Sequence, residues 1–474
     1  MSFNFLLLLP EGVVLGVLVT LLAGEISHSD FSKKFSGVVA LAGSLLVFLS
    51  LLPLAGKMGS AFGGMFILDP LSTFFKTFLI LTGFVIIAMS REFFQNLSKP
   101  GEFFLILWSA LLALFFLVSA NDFLLLFIAL EITTLSFYVM AAYLKHDLLS
   151  IEAGLKYLIL GSLASAFLIY GISLLYIGAG STTLPDIRET FAADPHNRWI
   201  LLGILFILSG LGFKVAAVPF QLWVPDVYEG APTPVVAFLS VGSKAAGFAL
   251  LLRLLFTVFV PFEFERRVLF AALAAMTLLY GTLGALRQTN IKRLMGYSSI
   301  GHAGYLLMGI AVGKEIGSSA LLYYLMTYAA ANLASFFAMT LAGRALQSDR
   351  IDSYRGLSHR SPFLAGTIFI SMISLAGVPP LAGFFGKFLI LLAAVREGLG
   401  WLALLGALAV AVSLYYYLSV VRVMYVEESS RGGPIALSPL AKTILTCLIL
   451  ALLVLGLWQT PFLTFAHAAA RSLF

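Results

Sequence analysis

The 474-residue sequence contains a single cysteine, Cys447, and charged side chains make up only 11% of it, against about 25% in a typical soluble domain. One thiol excludes an internal disulfide and a cysteine-ligated iron–sulfur cluster, and no Cys/His spacing offers a zinc site, so no metal is expected to be bound by this chain. The phosphate-cradling lysine loop is missing, and Gly178-Ala179-Gly180 lacks both continuations of a dinucleotide fingerprint, which leaves nucleotide binding without local support. The formal net charge of +6 comes from basic residues scattered over short loops and within apolar runs. It therefore reads as topology and chemistry, and no nucleic acid is expected as a partner. What the chain has in excess is apolar sequence: 60% of residues are hydrophobic, against roughly 45–50% in soluble proteins. The excess falls in runs of about twenty residues, each long enough to cross a hydrocarbon core of roughly 30 Å at 1.5 Å per residue.

About fourteen spans are expected, near Leu6 to Ile26, Phe35 to Leu54, Leu71 to Ser90, Glu102 to Ser119, Phe123 to Leu144, Gly154 to Ala179, Trp199 to Val218, Val235 to Phe256, Val268 to Leu286, Leu294 to Val312, Ser318 to Gly343, Pro362 to Ala394, Trp401 to Val426 and Ala441 to Thr460. The fold class is an all-α polytopic membrane protein whose contact with lipid is extensive. The first run lacks a basic leader and carries Glu11, so it reads as a retained helix. Loops after odd-numbered spans carry fifteen Lys and Arg residues, among them Lys33, Lys34, Lys99, Lys145 and Arg431. The other side carries nine, including Lys57, Arg253, Arg266 and Arg471. Basic residues are retained on the cytoplasmic side, which places the odd-numbered loops there and both termini outside. The loops are too short for an extramembrane domain, the longest lying near Ser181 to Arg198 and Leu346 to Arg360, so function resides in the membrane.

A faint internal repeat points to a transporter. Leu163 to Phe167 (LASAF) recurs as Leu333 to Phe337 (LASFF), and the interrupted stretches at Pro219 and at Pro379-Pro380 are spaced by a similar interval. Paired broken helices mark the site in many transporters. The interval spans five helices, an odd number, so the halves are inverted relative to each other. The expected layout is an N-terminal three-helix segment (1–100), a first repeat of spans four to eight (101–260), an inverted second repeat of spans nine to thirteen (261–430) and a final helix (431–474), with spans seven and twelve broken.

A charge at the bilayer centre costs roughly 2.5–3.5 kcal/mol on insertion scales, so deep ionisable residues need a reason. Glu131, Lys214, Lys244 and Lys387 stand out. Glu131 and Lys244 lie about 12–16 Å along their spans, too deep to snorkel. Lys214 and Lys387 lie within two turns of the breaks at Pro219 and Pro379-Pro380, where freed carbonyls and admitted water can solvate an ammonium. One such lysine can be an inert packing residue; four deep charges, two of them beside helix breaks, argue for function. His302 is either a helix-contact residue or a proton relay. Lys76 and Lys156, near expected span ends, suit snorkelling, with Lys156 kept as a possible secondary site.

Desolvation favours a neutral lysine, and a nearby carboxylate restores the ammonium. At about 7 Å and an effective dielectric of 20, that attraction is roughly 2.4 kcal/mol, enough to gate a proton. A Glu131–Lys214 pair would hold the lysine proton, and its separation would drive the proton onward to Lys244.

The segment Gly212 to Pro234 (GFKVAAVPFQLWVPDVYEGAPTP), with Lys292 to Tyr305 (KRLMGYSSIGHAGY) and Gly377 to Phe388 (GVPPLAGFFGKF), resembles the antiporter-like membrane subunits of proton-pumping NADH:quinone oxidoreductase, respiratory complex I, and within them the subunit N family. The likeness covers essentially the whole chain. It implies that Glu131 is the charge-partner glutamate of the fifth helix, Lys214 and Lys244 the lysines of the seventh and eighth, and Lys387 the terminal lysine of the broken twelfth. Subunit M and cation/proton antiporter subunits usually carry glutamate at that last position, and subunit L adds a long lateral helix for which the sequence after span fourteen leaves no room. Many relatives have histidine where this chain has Gln221, which puts a direct proton relay there in doubt, although glutamine can order water. The resemblance further implies a non-redox subunit of a proton translocase in a bacterial inner membrane, beside subunit M and the small membrane subunits, with FMN, iron–sulfur clusters and quinone held by partner subunits and no cofactor here. A subunit of a sodium/proton antiporter or of a membrane-bound hydrogenase is the alternative, disfavoured by Lys387.

Overall fold

The computed structural model describes residues 5–27, 35–95, 100–427 and 433–474; the loop charges Lys33, Lys34, Lys99 and Arg431 lie outside them. Twelve helices among the described residues are long and apolar enough to cross a membrane, and the chain is an all-α polytopic membrane protein. In chain order the helices are α1 (Leu9–Ser27), α2 (Ser36–Leu51), α3 (Pro70–Phe93), α4 (Pro100–Val118), α5 (Phe123–Ala141), α6 (Leu148–Ala179), α7 (Leu184–Ala193), α8 (Arg198–Val215), α9 (Trp223–Gly230), α10 (Thr233–Val258), α11 (Glu263–Ala285), α12 (Ile291–Val312), α13 (Lys314–Leu346), α14 (Pro362–Ala376), α15 (Ala382–Arg396), α16 (Gly400–Tyr425), α17 (Pro439–Leu457) and α18 (Thr460–Arg471).

Local chemistry sets the boundaries. Asp69 accepts from the Ser72 amide at 2.7 Å while the Ser72 hydroxyl accepts from the Asp69 amide at 2.9 Å, a reciprocal cap that starts α3 at Pro70. Asp122, Asp147 and Asn290 cap α5, α6 and α12 in the same sense, each through amides of the first turn. The two expected breaks are present. α8 stops at Ala216 (φ 61°) and α14 at Gly377 (φ 91°), left-handed residues that end a helix, and each break then carries a cis X–Pro bond, at Val218-Pro219 and Pro379-Pro380.

Helices α10 and α13 are buried along almost their whole length, as expected of core helices, and they carry buried polar groups such as Lys244, Arg253 and Asn332 inward. Lipid gives no hydrophobic drive for helix association, so close backbone approach takes its place. Between α6 and α8, a Cβ on Gly171 would sit 2.8 Å from the Gly203 carbonyl oxygen, and one on Gly203 would sit 2.9 Å from that of Gly171.

Several sequence expectations need correction. Lys76 does not snorkel: it is 0% exposed and its ammonium lies 2.6 Å from Glu11, itself 3% exposed. Arg253 is no loop charge, because α10 continues to Val258 and the guanidinium is buried against Asp69 at 2.8 and 3.1 Å. Lys156 lies a full two turns inside α6, which starts six residues earlier than expected, and it pairs with Glu152 and Asp226 at 2.7 and 2.6 Å on the exposed surface. The loop from Ser181 contains α7, whose Leu184, Ile187 and Phe191 are buried at helical spacing. The tail contains α18, which places Phe465 against Phe74 with ring centres 5.0 Å apart. A short hairpin pairs Gly59–Ala61 with Phe66–Leu68.

The Glu11–Lys76 pair ties α1 to α3. Lys76→Ala is expected to destabilise the subunit by about 3–5 kcal/mol, because it strands a buried carboxylate. A thermal melt of the assembled membrane complex checks this; an unchanged transition would show that Glu11 finds another partner.

Candidate functional site

The candidate residues lie on the two broken helices and on the helices packed against them. On α5, Glu131 is half-buried and accepts a hydrogen bond from the Ser165 hydroxyl of α6 at 2.6 Å. One turn on, the Thr134 hydroxyl accepts from the Lys214 ammonium of α8. Glu131 and Lys214 are therefore linked through one turn of α5, with no direct ion pair between them. A void of about 10 Å³ beside Lys214, lined by Leu130, Thr134, Ser243 and Gly247 among others, approximates the space of one water. Among the described residues Lys214 meets a hydroxyl and no freed carbonyl at this break; the Phe213 carbonyl oxygen there accepts the Trp223 indole N–H at 3.1 Å. That bond straps α9 to α8 across the break.

At the second break the expectation holds. Lys387 on α15 donates to the carbonyls of Leu375 and Ala376 at 2.7 and 3.1 Å, groups released where α14 ends, and its ammonium lies 5.2 Å from the centre of the Tyr305 ring.

Lys244 sits where α10 relaxes from a π-helical turn, Leu239–Ser243, a distortion that often marks functional sites. Its ammonium donates to the Ser299 carbonyl at 2.6 Å and to the Ser299 hydroxyl at 2.5 Å. The same hydroxyl contacts Tyr328 at 3.0 Å and Tyr228 at 3.1 Å, and Asn332 donates to Tyr328 and to Ser240, each at 2.8 Å. His302 lies alongside. Its ring centre is 4.9 Å from that of Tyr328 and 6.4 Å from that of Tyr305, and its nitrogens contact the hydroxyls of Tyr324 at 2.5 Å and Tyr417 at 3.2 Å. Lys244, Tyr328, His302, Tyr305 and Lys387 thus form a contiguous run of polar and aromatic groups.

The lysine environments fall into two kinds. Lys76 and Arg253 meet carboxylates. Lys214, Lys244 and Lys387, at 9%, 2% and 3% exposure, form no ion pair among the described residues and are held by hydroxyl and carbonyl oxygens. Gln221 is 3% exposed and its side-chain carbonyl oxygen has no hydrogen-bond partner among the described residues. The sequence reading missed Tyr228, Ser299, Tyr324, Tyr328 and Asn332. The last three recur every four residues on α13, a polar stripe in a buried helix that the spacing alone reveals.

Residues 120–413 match the family described as NADH:quinone oxidoreductase/Mrp antiporter, TM. This chain belongs to that family. A protein of Moorella thermoacetica named NADH-quinone oxidoreductase subunit N is 39% identical over 451 residues, 95% of this chain and 94% of that one. A protein of the same name from Paramagnetospirillum magneticum is 40% identical over 469 residues, covering 96% and 95%. Among solved structures, a chain of respiratory complex I from Thermus thermophilus with bound aureothin superposes with a TM-score of 0.82 at 34% identity over 96% of this chain and 98% of that one. A chain of the Mrp complex from Dietzia, at 19% identity and a TM-score of 0.87 over 98% and 97%, shares the fold.

Proposed function

We propose that this chain is the proton-translocating, non-redox membrane subunit of a bacterial NADH:quinone oxidoreductase, corresponding to subunit N, and that electron transfer in partner subunits drives protons through its buried groups. The observation that carries the reading is the contrast between paired and unpaired cations. A lysine beside a carboxylate is a structural ion; a lysine held by neutral oxygens alone can lose its proton without leaving a counter-charge behind. Lys214, Lys244 and Lys387 are of the second kind, with Glu131 one turn from the partner of Lys214 and His302 between the other two. The identities of the relatives support the same reading.

In this account residues 101–260 and 261–430 form two inverted halves, each with one broken helix, after the three-helix segment 1–100 and before the final segment 431–474. Lys214 and Lys387 take protons in half-channels that open to opposite faces, and Lys244 and His302 connect them. Lys156 lies in the exposed ion-pair cluster with Asp226 and has a secondary role in holding α9 to α6. Gln221 orders water at the first break. The subunit lies in the inner membrane with both termini outside the cytoplasm, beside subunit M and the small membrane subunits, and FMN, iron–sulfur clusters and quinone belong to other subunits.

Purification in mild detergent from native membranes tests the assignment. Flavin and iron–sulfur subunits should co-purify with the chain; its isolation with cation/proton antiporter subunits alone would contradict it. Glu131→Gln, nearly isosteric, is expected to impair pumping while assembly persists, and Glu131→Asp to retain part of the activity. Normal proton uptake in vesicles by both variants would remove Glu131 from the path.

A further inference from the structure

The seam between α5 and α6 contains a polar group that the account so far does not use. Tyr138 is 7% exposed and its hydroxyl has no hydrogen-bond partner among the described residues, a costly condition for a buried donor unless water meets it. The hydroxyl is aimed across the seam at Gly161: a Cβ built there would lie 1.9 Å from the tyrosine oxygen, so the absence of a side chain on Gly161 makes the space that the hydroxyl occupies. Gly161 and Ser165 are one turn apart on the same face of α6, about 6 Å along the axis. Ser165 donates to Glu131 at 2.6 Å. Tyr138 itself follows Glu131 by two turns of α5, again on the same face. Tyr138 also lines an open groove of about 1380 Å³ that includes Lys145, His146 and Asp147 together with the exposed Leu155 and Leu158. Lys145, His146 and Asp147 are exposed.

We propose that this seam is a proton inlet to Glu131, running from the groove at Lys145–Asp147 through the Tyr138 hydroxyl and one ordered water to the Ser165 hydroxyl, with Tyr138 as a relay residue. The transfer conserves charge at every relay group. The Tyr138 oxygen accepts a proton from a hydronium in the groove, which leaves as water, as its own hydroxyl proton passes to the seam water. That water hands one proton to the Ser165 oxygen, and the Ser165 hydroxyl proton moves to the Glu131 carboxylate. One proton enters, one arrives, and among the protein groups only Glu131 changes charge. A bridging water is nearly as favourable as a direct hydrogen bond, and the gap of about one helical turn suits one molecule. A hydroxyl at 138, a glycine at 161 and a hydroxyl at 165 are each required: phenylalanine breaks the relay, and any Cβ at 161 displaces the tyrosine.

The inference rests on the reading of Glu131 as a proton-carrying group, and the test separates the two. A high-resolution structure of the assembled complex should show a water within hydrogen-bond reach of both Tyr138 Oη and Ser165 Oγ; an empty or lipid-filled seam would overturn the proposal whatever Glu131 does. In the assembled complex, Tyr138→Phe should slow proton uptake about tenfold, equivalent to ~1.4 kcal/mol on the barrier, with a larger solvent deuterium isotope effect than the parent. Placed on a Glu131→Gln background, Tyr138→Phe should cause no further loss. An equal loss on both backgrounds, with an unchanged isotope effect, would mean that Tyr138 is merely structural and would overturn the proposal. Glu131→Gln pumping at the parent rate would instead refute the role of Glu131, and with it the destination of the inlet.

Discussion

Lys214→Ala is expected to lower proton pumping by at least about tenfold, in the lower range of losses on removal of a proton-transfer group, while the complex still assembles. The ammonium is buried against the Thr134 hydroxyl with no carboxylate to strand, so its removal leaves a neutral threonine that still donates to the Leu130 carbonyl at 2.7 Å. Structure persists and chemistry is lost. Lys214→Arg should be about as damaging, because a guanidinium keeps its proton at working pH. Proton uptake and electron flux to quinone, followed together in vesicles, check both variants; normal values for Lys214→Arg would show that proton release at this position is not required.

Lys387→Glu is expected to have the second large effect, and here structure and chemistry fail together. The lysine donates to the carbonyls of Leu375 and Ala376. A glutamate turns acceptor toward acceptor, leaving two buried carbonyls unmet at about 1–3 kcal/mol each. The yield of assembled complex should fall along with pumping. Lys387→Gln separates the two causes, because its amide can donate to the freed carbonyls but carries no exchangeable charge. It should assemble and fail to pump. A pumping Lys387→Gln complex would remove Lys387 from the proton path.

The spans were legible in the sequence because apolar runs of about twenty residues have few other solutions, and the helix breaks because proline cannot continue a helix. Lys387 was placed correctly against the carbonyls freed at its break, since donor and acceptors lie within one local motif. The pairings of Glu11 with Lys76 and of Asp69 with Arg253 were not legible. Their partners are 65 and 184 residues apart, and near a span end a buried cation has the same sequence signature as a snorkelling one. The acceptor of Lys214 was not legible for a related reason: it is the Thr134 hydroxyl, 80 residues away on another helix, and not a group of the local break. The amphipathic helices α7 and α18 were overlooked because a search for long apolar runs passes over short helices with one apolar face.

Among the groups in the path, Lys244 is the junction, bonded to Ser299 and next to the ring of Tyr328. The most direct measurement is the ratio of protons taken up to electrons delivered to quinone in vesicles containing fully assembled Lys244→Met complex. The account predicts that pumping by this subunit ceases, so that the ratio falls or electron flow itself stalls because the two are coupled. A parent ratio at the parent rate of electron transfer would contradict a proton path through the buried lysines of this chain.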